Sequence, residues 1–171
     1  MAKYKFKVCL MGDPGVGKTS LIRRYVYGVF SDKYLKTIGT NIYKKEISVD
    51  NHDAVLMIWD IMGEETFRQI LKTSYFYGSD ALMAVGDITR KETIESLTEW
   101  IDAAEGVIEK KVPIIMVANK SDLEWAVEEE YLEEISKAVG AIGYIITSAK
   151  TGEHVNEAFE TLTRKLLQNV N

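Results

Sequence analysis

The chain has 171 residues, of which 46% are hydrophobic, with a net charge of −5 and one cysteine. That length and apolar content support one domain with a substantial core and argue against disorder, and the acidic balance argues against nucleic-acid affinity, which needs a cationic surface. A lone cysteine forms no intramolecular disulfide and suits a reducing compartment, no apolar run is long enough to span a bilayer, and Met1–Lys5 resembles no signal peptide, so a cytoplasmic protein is expected.

In chain order, Tyr4 to Met11 is rich in β-formers and predicts a first strand, with Cys9 a small core residue inside it. Gly12-Asp13-Pro14-Gly15-Val16-Gly17-Lys18-Thr19-Ser20 follows, and reads G-x-x-x-x-G-K-T, the phosphate-binding P-loop. Glycines let backbone N–H groups turn inward around an oxyanion, and the N-terminus of the helix expected over Gly17–Gly28 adds partial positive charge. Lys18 can reach the β- and γ-phosphates, and the Thr19 hydroxyl can ligate Mg²⁺. Val29 to Thr40 has no clean period and is expected to be a loop. Asn41–Val49 reads as an edge strand, Asp50-Asn51-His52-Asp53 as a turn, and Ala54–Trp59 as a strand buried on both faces. Two strands joined this closely form an antiparallel hairpin.

Ile61–Lys72 is irregular and then weakly helical. Ala81–Val85 predicts a buried strand ending in Gly86-Asp87, and Lys91–Ile108 a helix with Ile94, Leu97, Ile101, Ala104 and Ile108 at helical spacing. Val112–Ala118 is a further apolar strand with Pro113 near its start. Glu128–Val139 predicts a helix stopped by Gly140, its glutamates a solvated face; Gly143–Thr147 predicts the last strand, and Glu153–Leu167 the closing helix. Strands alternating with helices imply a parallel sheet, which binds ligands at the carboxyl ends of its strands.

Those strand ends carry the remaining chemistry. Asp60 is well placed to hold Mg²⁺, and Gly63 offers an unobstructed N–H. In Asn119-Lys120-Ser121-Asp122, the Asp122 carboxylate can accept from guanine N1–H and the 2-amino group, a donor pair adenine lacks. Asn119 can address the base edge or tie the loops together, and the stem of Lys120 can cover the base plane. In Ser148-Ala149-Lys150, the Ala149 N–H could meet guanine O6, although the same loop is equally a helix N-cap turn.

With these motifs in this order, the chain resembles a small GTPase of the Ras superfamily from about Tyr4 to Leu167. The Rab branch is most similar, through Thr37-Ile38-Gly39, Ile58-Trp59-Asp60, Phe67-Arg68, Ser74-Tyr75 with Gly78, and Asp87-Ile88-Thr89. The resemblance implies a P-loop NTPase three-layer α/β fold: a six-stranded, mainly parallel sheet with one antiparallel edge strand and helices on both faces, forming a single domain over residues 1–171. It implies that Asp13, Pro14, Gly15, Val16, Gly17, Lys18, Thr19 and Ser20 surround the phosphates of GTP or GDP. Phe30 would stack on the guanine, and Tyr34 would close over the phosphates. Thr37 would join Thr19 and Asp60 on Mg²⁺ when the γ-phosphate is present, and Gly63 would contact that phosphate. Asn119, Lys120, Asp122, Ser148, Ala149 and Lys150 would hold the base. Effectors, exchange factors and GTPase-activating proteins would engage Val29–Thr40 and Ile61–Tyr77 of a monomer.

Several positions depart from the family pattern. Pro14 stands where glycine or serine is usual beside the γ-phosphate, and it lacks an N–H. Glu64 follows Gly63 where a glutamine usually orients the attacking water; Lys18, Thr37, Gly63 and Glu64 are the expected catalytic set, with slow hydrolysis. No arginine occupies an obvious position for a finger in cis; Arg68 is a weak candidate. Thr40-Asn41-Ile42 replaces valine, aspartate and phenylalanine, which puts a shared Rab effector surface in doubt. Gln168-Asn169-Val170-Asn171 lacks prenylatable cysteines, so no lipid anchor is expected, and peripheral membrane association would need partners or a further tail. The alternatives to a switch are a GTP-binding scaffold with negligible hydrolysis and a P-loop kinase of a small metabolite; the guanine motif argues against the kinase.

Overall fold

A computed structural model describes residues 3–31, 39–61 and 74–170. In order, the elements are β1 (Tyr4–Met11), α1 (Lys18–Tyr27), β2 (Thr40–Val49), β3 (His52–Ile61), β4 (Ala81–Asp87), α2 (Lys91–Glu95), α3 (Leu97–Glu105), β5 (Ile114–Asn119), α4 (Glu129–Ala138), β6 (Gly143–Ile146) and α5 (Val155–Val170). The strands form one six-stranded sheet in the order β2-β3-β1-β4-β5-β6. The β2–β3 pair is antiparallel and every other pair is parallel, as expected.

Alternation along the strands divides the interior into two cores. On β1, Val8 and Leu10 enter one core while Cys9 and Met11 enter the other; on β5, Ile115 and Val117 oppose Ile114, Met116 and Ala118. The first core is closed by α1 (Leu21, Ile22, Tyr25) and α5 (Val155, Ala158, Phe159, Leu162, Leu166). The second is closed by α2 and α3 (Ile94, Leu97, Trp100, Ile101, Ala104) and by Leu132 of α4. Burial on both faces explains why β4 and β5 read as unbroken apolar runs. Tyr25 stacks on Phe159 with ring centroids 4.1 Å apart, which joins α1 to α5.

Some boundaries differ from those the sequence suggests. The hairpin turn is two residues, Asp50 and Asn51, with φ of 49° and 65°, rather than the four with turn-like composition; His52 and Asp53 already pair with Val49 and Ser48. At the other end the hairpin register runs to Thr40–Ile61, so Asp60 lies within β3 instead of after it. The expected helix over Lys91–Ile108 is interrupted at Ser96, where ψ opens to −14°, and ends at Glu105. The Ser96 hydroxyl donates to Asp13 at 2.7 Å and lies 3.2 Å from the Thr93 carbonyl, so a side chain competes for backbone partners where the helix breaks. Pro113 falls just outside β5, although its carbonyl still accepts from Leu82 N–H at 3.0 Å. The closing helix starts at Val155 because Gly152 and His154 both have positive φ, and it runs on to Val170. Most of Ile61–Lys72 lies outside the described residues.

Candidate nucleotide-binding site

Five parallel strands place their carboxyl ends along one edge of the sheet. β1 leads into Gly12, β3 carries Asp60, β4 ends in Asp87, β5 ends in Asn119, and β6 leads to Thr147 and Ser148. Gly12 has φ of 145°, and a Cβ there would lie 2.1 Å from the Val85 carbonyl oxygen, so glycine alone lets the loop leave β1 beside β4. Gly17 has φ of 102° and caps α1; a Cβ there would fall 2.3 Å from Asn119 Nδ2.

Lys18 folds back into its own loop. Its ammonium donates to the Gly12 and Asp13 carbonyls at 2.8 and 3.0 Å, and only 6% of the residue is exposed. Burial pushes its pKa down to about 8, against the pull of the Asp60 and Asp13 carboxylates. The Thr19 hydroxyl donates to Asp60 Oδ2 at 2.5 Å, and Asp60 is fully buried. Two hard oxygen donors this close fit a Mg²⁺ ion that completes its shell with phosphate oxygens and water. Among the described residues there is no larger cluster of acidic, histidine or cysteine side chains suited to a metal.

The base-recognition motifs brace the same loop. Asn119 Nδ2 donates to the Val16 carbonyl at 3.0 Å, while its Oδ1 accepts from the Thr147 hydroxyl at 3.0 Å and from the Ala149 N–H at 3.2 Å. Of the two uses open to Asn119, tying the loops is the one observed, and it also engages the Ala149 N–H. Lys120 has φ of 71° and donates to the Gly15 carbonyl at 2.7 Å. The Ser148 hydroxyl donates to Asp122 Oδ1 at 2.7 Å, which sets that exposed carboxylate beside Ala149. Arg24 of α1 donates to the Ala149 and Lys150 carbonyls, joining the last loop to the helix that follows the P-loop. Phe30, beyond α1, is 36% exposed, and Ser20 lies in the first turn of α1. Tyr34, Thr37, Gly63, Glu64 and Arg68 lie outside the described residues.

Several participants escape sequence reasoning. The buried Asp87 carboxylate accepts from Lys120 and Arg90 at 3.0 and 3.1 Å and from the Thr89 N–H and hydroxyl. Burial works to raise its pKa, but those hydrogen bonds outweigh it and hold the carboxyl below its usual value. Asp13 accepts from the Ser96 hydroxyl at 2.7 Å and from Trp100 Nε1 at 3.0 Å, so α3 holds the loop from the side. The Arg90 guanidinium donates to the Pro14 carbonyl at 3.0 Å. The contacts of Asp87 with Lys120, of Asp13 with Ser96 and Trp100, and of Arg90 with Pro14 cross tens of residues; the acid ending β4 was the one available signal.

The Ras family model matches residues 7–168. Ypt/Rab-type GTPase YPT7 of Saccharomyces cerevisiae is 37% identical, over 97% of this chain and 83% of that protein. Ras-related protein Rab-4A of Danio rerio is 36% identical over 98% of this chain and 78% of its own length. Ras-related protein Rab-32B of Dictyostelium discoideum is 36% identical over 97% of this chain, which spans 66% of that relative, just short of two thirds.

Proposed function

This chain belongs to the Ras family as a Rab-like small GTPase, a GTP-binding switch, and from that premise we propose a Mg²⁺-dependent cycle between GTP and GDP states in a single G domain, with slow intrinsic hydrolysis. The observation that carries the reading is the glycine loop closed around buried Lys18 and braced by Asn119 and Lys120. Lys18 and the N–H groups of the loop bind the phosphates, while Asp122, Ser148, Ala149 and Lys150 take the guanine and Phe30 covers it. Thr19, Asp60 and Thr37 hold Mg²⁺, which when bound neutralises charge on the β- and γ-phosphate oxygens. Gly63 and Tyr34 close on the γ-phosphate side. Val29–Thr40 and Ile61–Tyr77 then present a nucleotide-dependent surface to effectors, exchange factors and GTPase-activating proteins.

Hydrolysis turns on Glu64. An amide both donates and accepts, so a glutamine can accept from the attacking water while donating toward the phosphoryl group. An ionised glutamate only accepts, and it adds negative charge beside a phosphoryl group already carrying excess charge. Its ordinary pKa near 4.3 makes it a weak base. Intrinsic turnover at or below about 10⁻⁴ s⁻¹ is expected. Single-turnover phosphate release checks this: Glu64→Gln should be faster than the native protein, and a native protein that is fast and slowed by Glu64→Gln would make Glu64 a base. Release undetectable in both would favour the scaffold. Competition among GTP, ATP and XTP tests the base site. Asp122→Asn should weaken GTP by several kcal/mol, from about 1.5–3 per charge-assisted bond, and shift preference toward XTP; ATP competing as well as GTP would remove the argument for guanine.

A further inference from the structure

Three successive peptide units of the loop are gripped from outside through their carbonyls: Pro14 by Arg90 at 3.0 Å, Gly15 by Lys120 at 2.7 Å and Val16 by Asn119 at 3.0 Å. The peptide bonds are trans, and in a planar trans unit the carbonyl oxygen and the following amide hydrogen point to opposite sides. Each outside grip therefore aims the next N–H, of Gly15, Val16 or Gly17, toward the concave side of the loop. On the inner side, Lys18 holds the Gly12 and Asp13 carbonyls. The unit between Asp13 and Pro14 has no N–H to offer, so the N–H of Gly15 is the first donor after Asp13.

From this geometry we infer that Arg90 is a positioning residue for nucleotide binding, locking the Pro14–Gly15 peptide so that the Gly15 N–H donates to the phosphate chain. The inference rests on the nucleotide reading given above. Arg90 suits the task because its guanidinium is held at two points. Its Nε donates to Asp87 Oδ2 while its Nη2 donates to the Pro14 carbonyl. Asp87 is 2% exposed at its side chain and shares that oxygen with Lys120, so one buried carboxylate sets the braces on both the Pro14 and the Gly15 carbonyls. The planar fork of arginine can span acid and carbonyl together, which a single ammonium does less well.

The experiment uses the whole chain loaded with GDP and compares Arg90→Met, Arg90→Lys and, as a control for the loss of one neighbouring charge, Lys91→Met. Two quantities are read: the release rate of a fluorescent GDP and the amide proton shifts of Gly15, Val16 and Gly17. Arg90→Met should speed release about tenfold, a modest figure because Arg90 is 40% exposed at its side chain. Arg90→Lys should fall between Met and native, and Lys91→Met should match native. The Gly15 amide proton should move upfield in Arg90→Met while Val16 and Gly17 stay in place, a selectivity that general loosening of the loop would not give. Release within twofold of native, or three amides moving together, overturns the inference alone. A native protein that binds no guanine nucleotide overturns the nucleotide reading and this inference with it.

Discussion

Burial governs the behaviour of Lys18. In the fold its pKa of about 8 lies below the ordinary 10.5, so between those values the unfolded chain binds more protons than the folded one. The fold therefore gains stability as pH rises from about 8 to 10.5. A phosphate beside the ammonium favours the charged form, so the complex takes up a proton above about pH 8. Affinity for GDP should then fall as pH rises beyond that point, approaching tenfold per unit. Calorimetric titration in two buffers of different ionisation enthalpy measures the proton uptake, expected near zero at pH 7 and substantial at pH 9. An affinity flat across this range would place Lys18 away from the phosphates. Gly12 is constrained as strictly. Gly12→Ala would force a Cβ against the Val85 carbonyl at a φ of 145°, and a loss of about 3 kcal/mol or more is expected in urea unfolding.

The β2–β3 hairpin tests the argument at the level of an element. Its two-residue turn has positive φ at both positions, the requirement of the turn whose twist matches the flanking strands. Aspartate and asparagine tolerate that conformation, and glycine tolerates it better. Asn51→Gly should raise stability by about 0.5 kcal/mol, and Asn51→Val should lower it by about 1 kcal/mol or more, measured by denaturant midpoint. Asp50 is a poorer place to test this, because its carboxylate also accepts from Arg164 of α5 at 2.8 Å. The break at Ser96 shows the limit of periodicity. The apolar spacing from Ile94 to Ala104 describes one buried stripe correctly, and all five residues of the second core on α2 and α3 are buried. Periodicity carries no information about a hydroxyl whose partner, Asp13, is 83 residues away.

For the molecule as a whole, the sheet divides the labour. Two cores hold the strands, and the edge formed by their carboxyl ends carries the binding groups. Ligand binding at that edge should stabilise the fold by mass action, by about 2.7 kcal/mol at a hundredfold excess over Kd. In the switch reading, hydrogen exchange should differ between GTP and GDP complexes chiefly over Val29–Thr40 and Ile61–Tyr77. Identical exchange there would favour the scaffold. No helix among the described residues is long and apolar enough to cross a membrane.

Local chemistry made much of this legible in advance. Strand alternation, unbroken apolar runs and a glycine-bounded lysine depend on neighbours in the chain, and they identified six strands, the antiparallel hairpin and the residues Gly12, Lys18, Thr19, Asp60, Asn119, Asp122 and Ser148 at one sheet edge. Asn119 was readable as a residue that could either meet a base or tie loops, because its amide can do both; the Val16 carbonyl, the Thr147 hydroxyl and the Ala149 N–H around it show the tie. Arg90, Ser96 and Trp100 were invisible as parts of the site because their side chains meet loop residues distant in the chain, where no periodicity or spacing signals a partner; Asp87 was legible only as the acid ending β4, and its pairing with Lys120 was not. A sequence determines which groups a strand end can offer. Which carbonyl each group grips, and so which way each loop N–H points, is decided when the sheet brings those ends together.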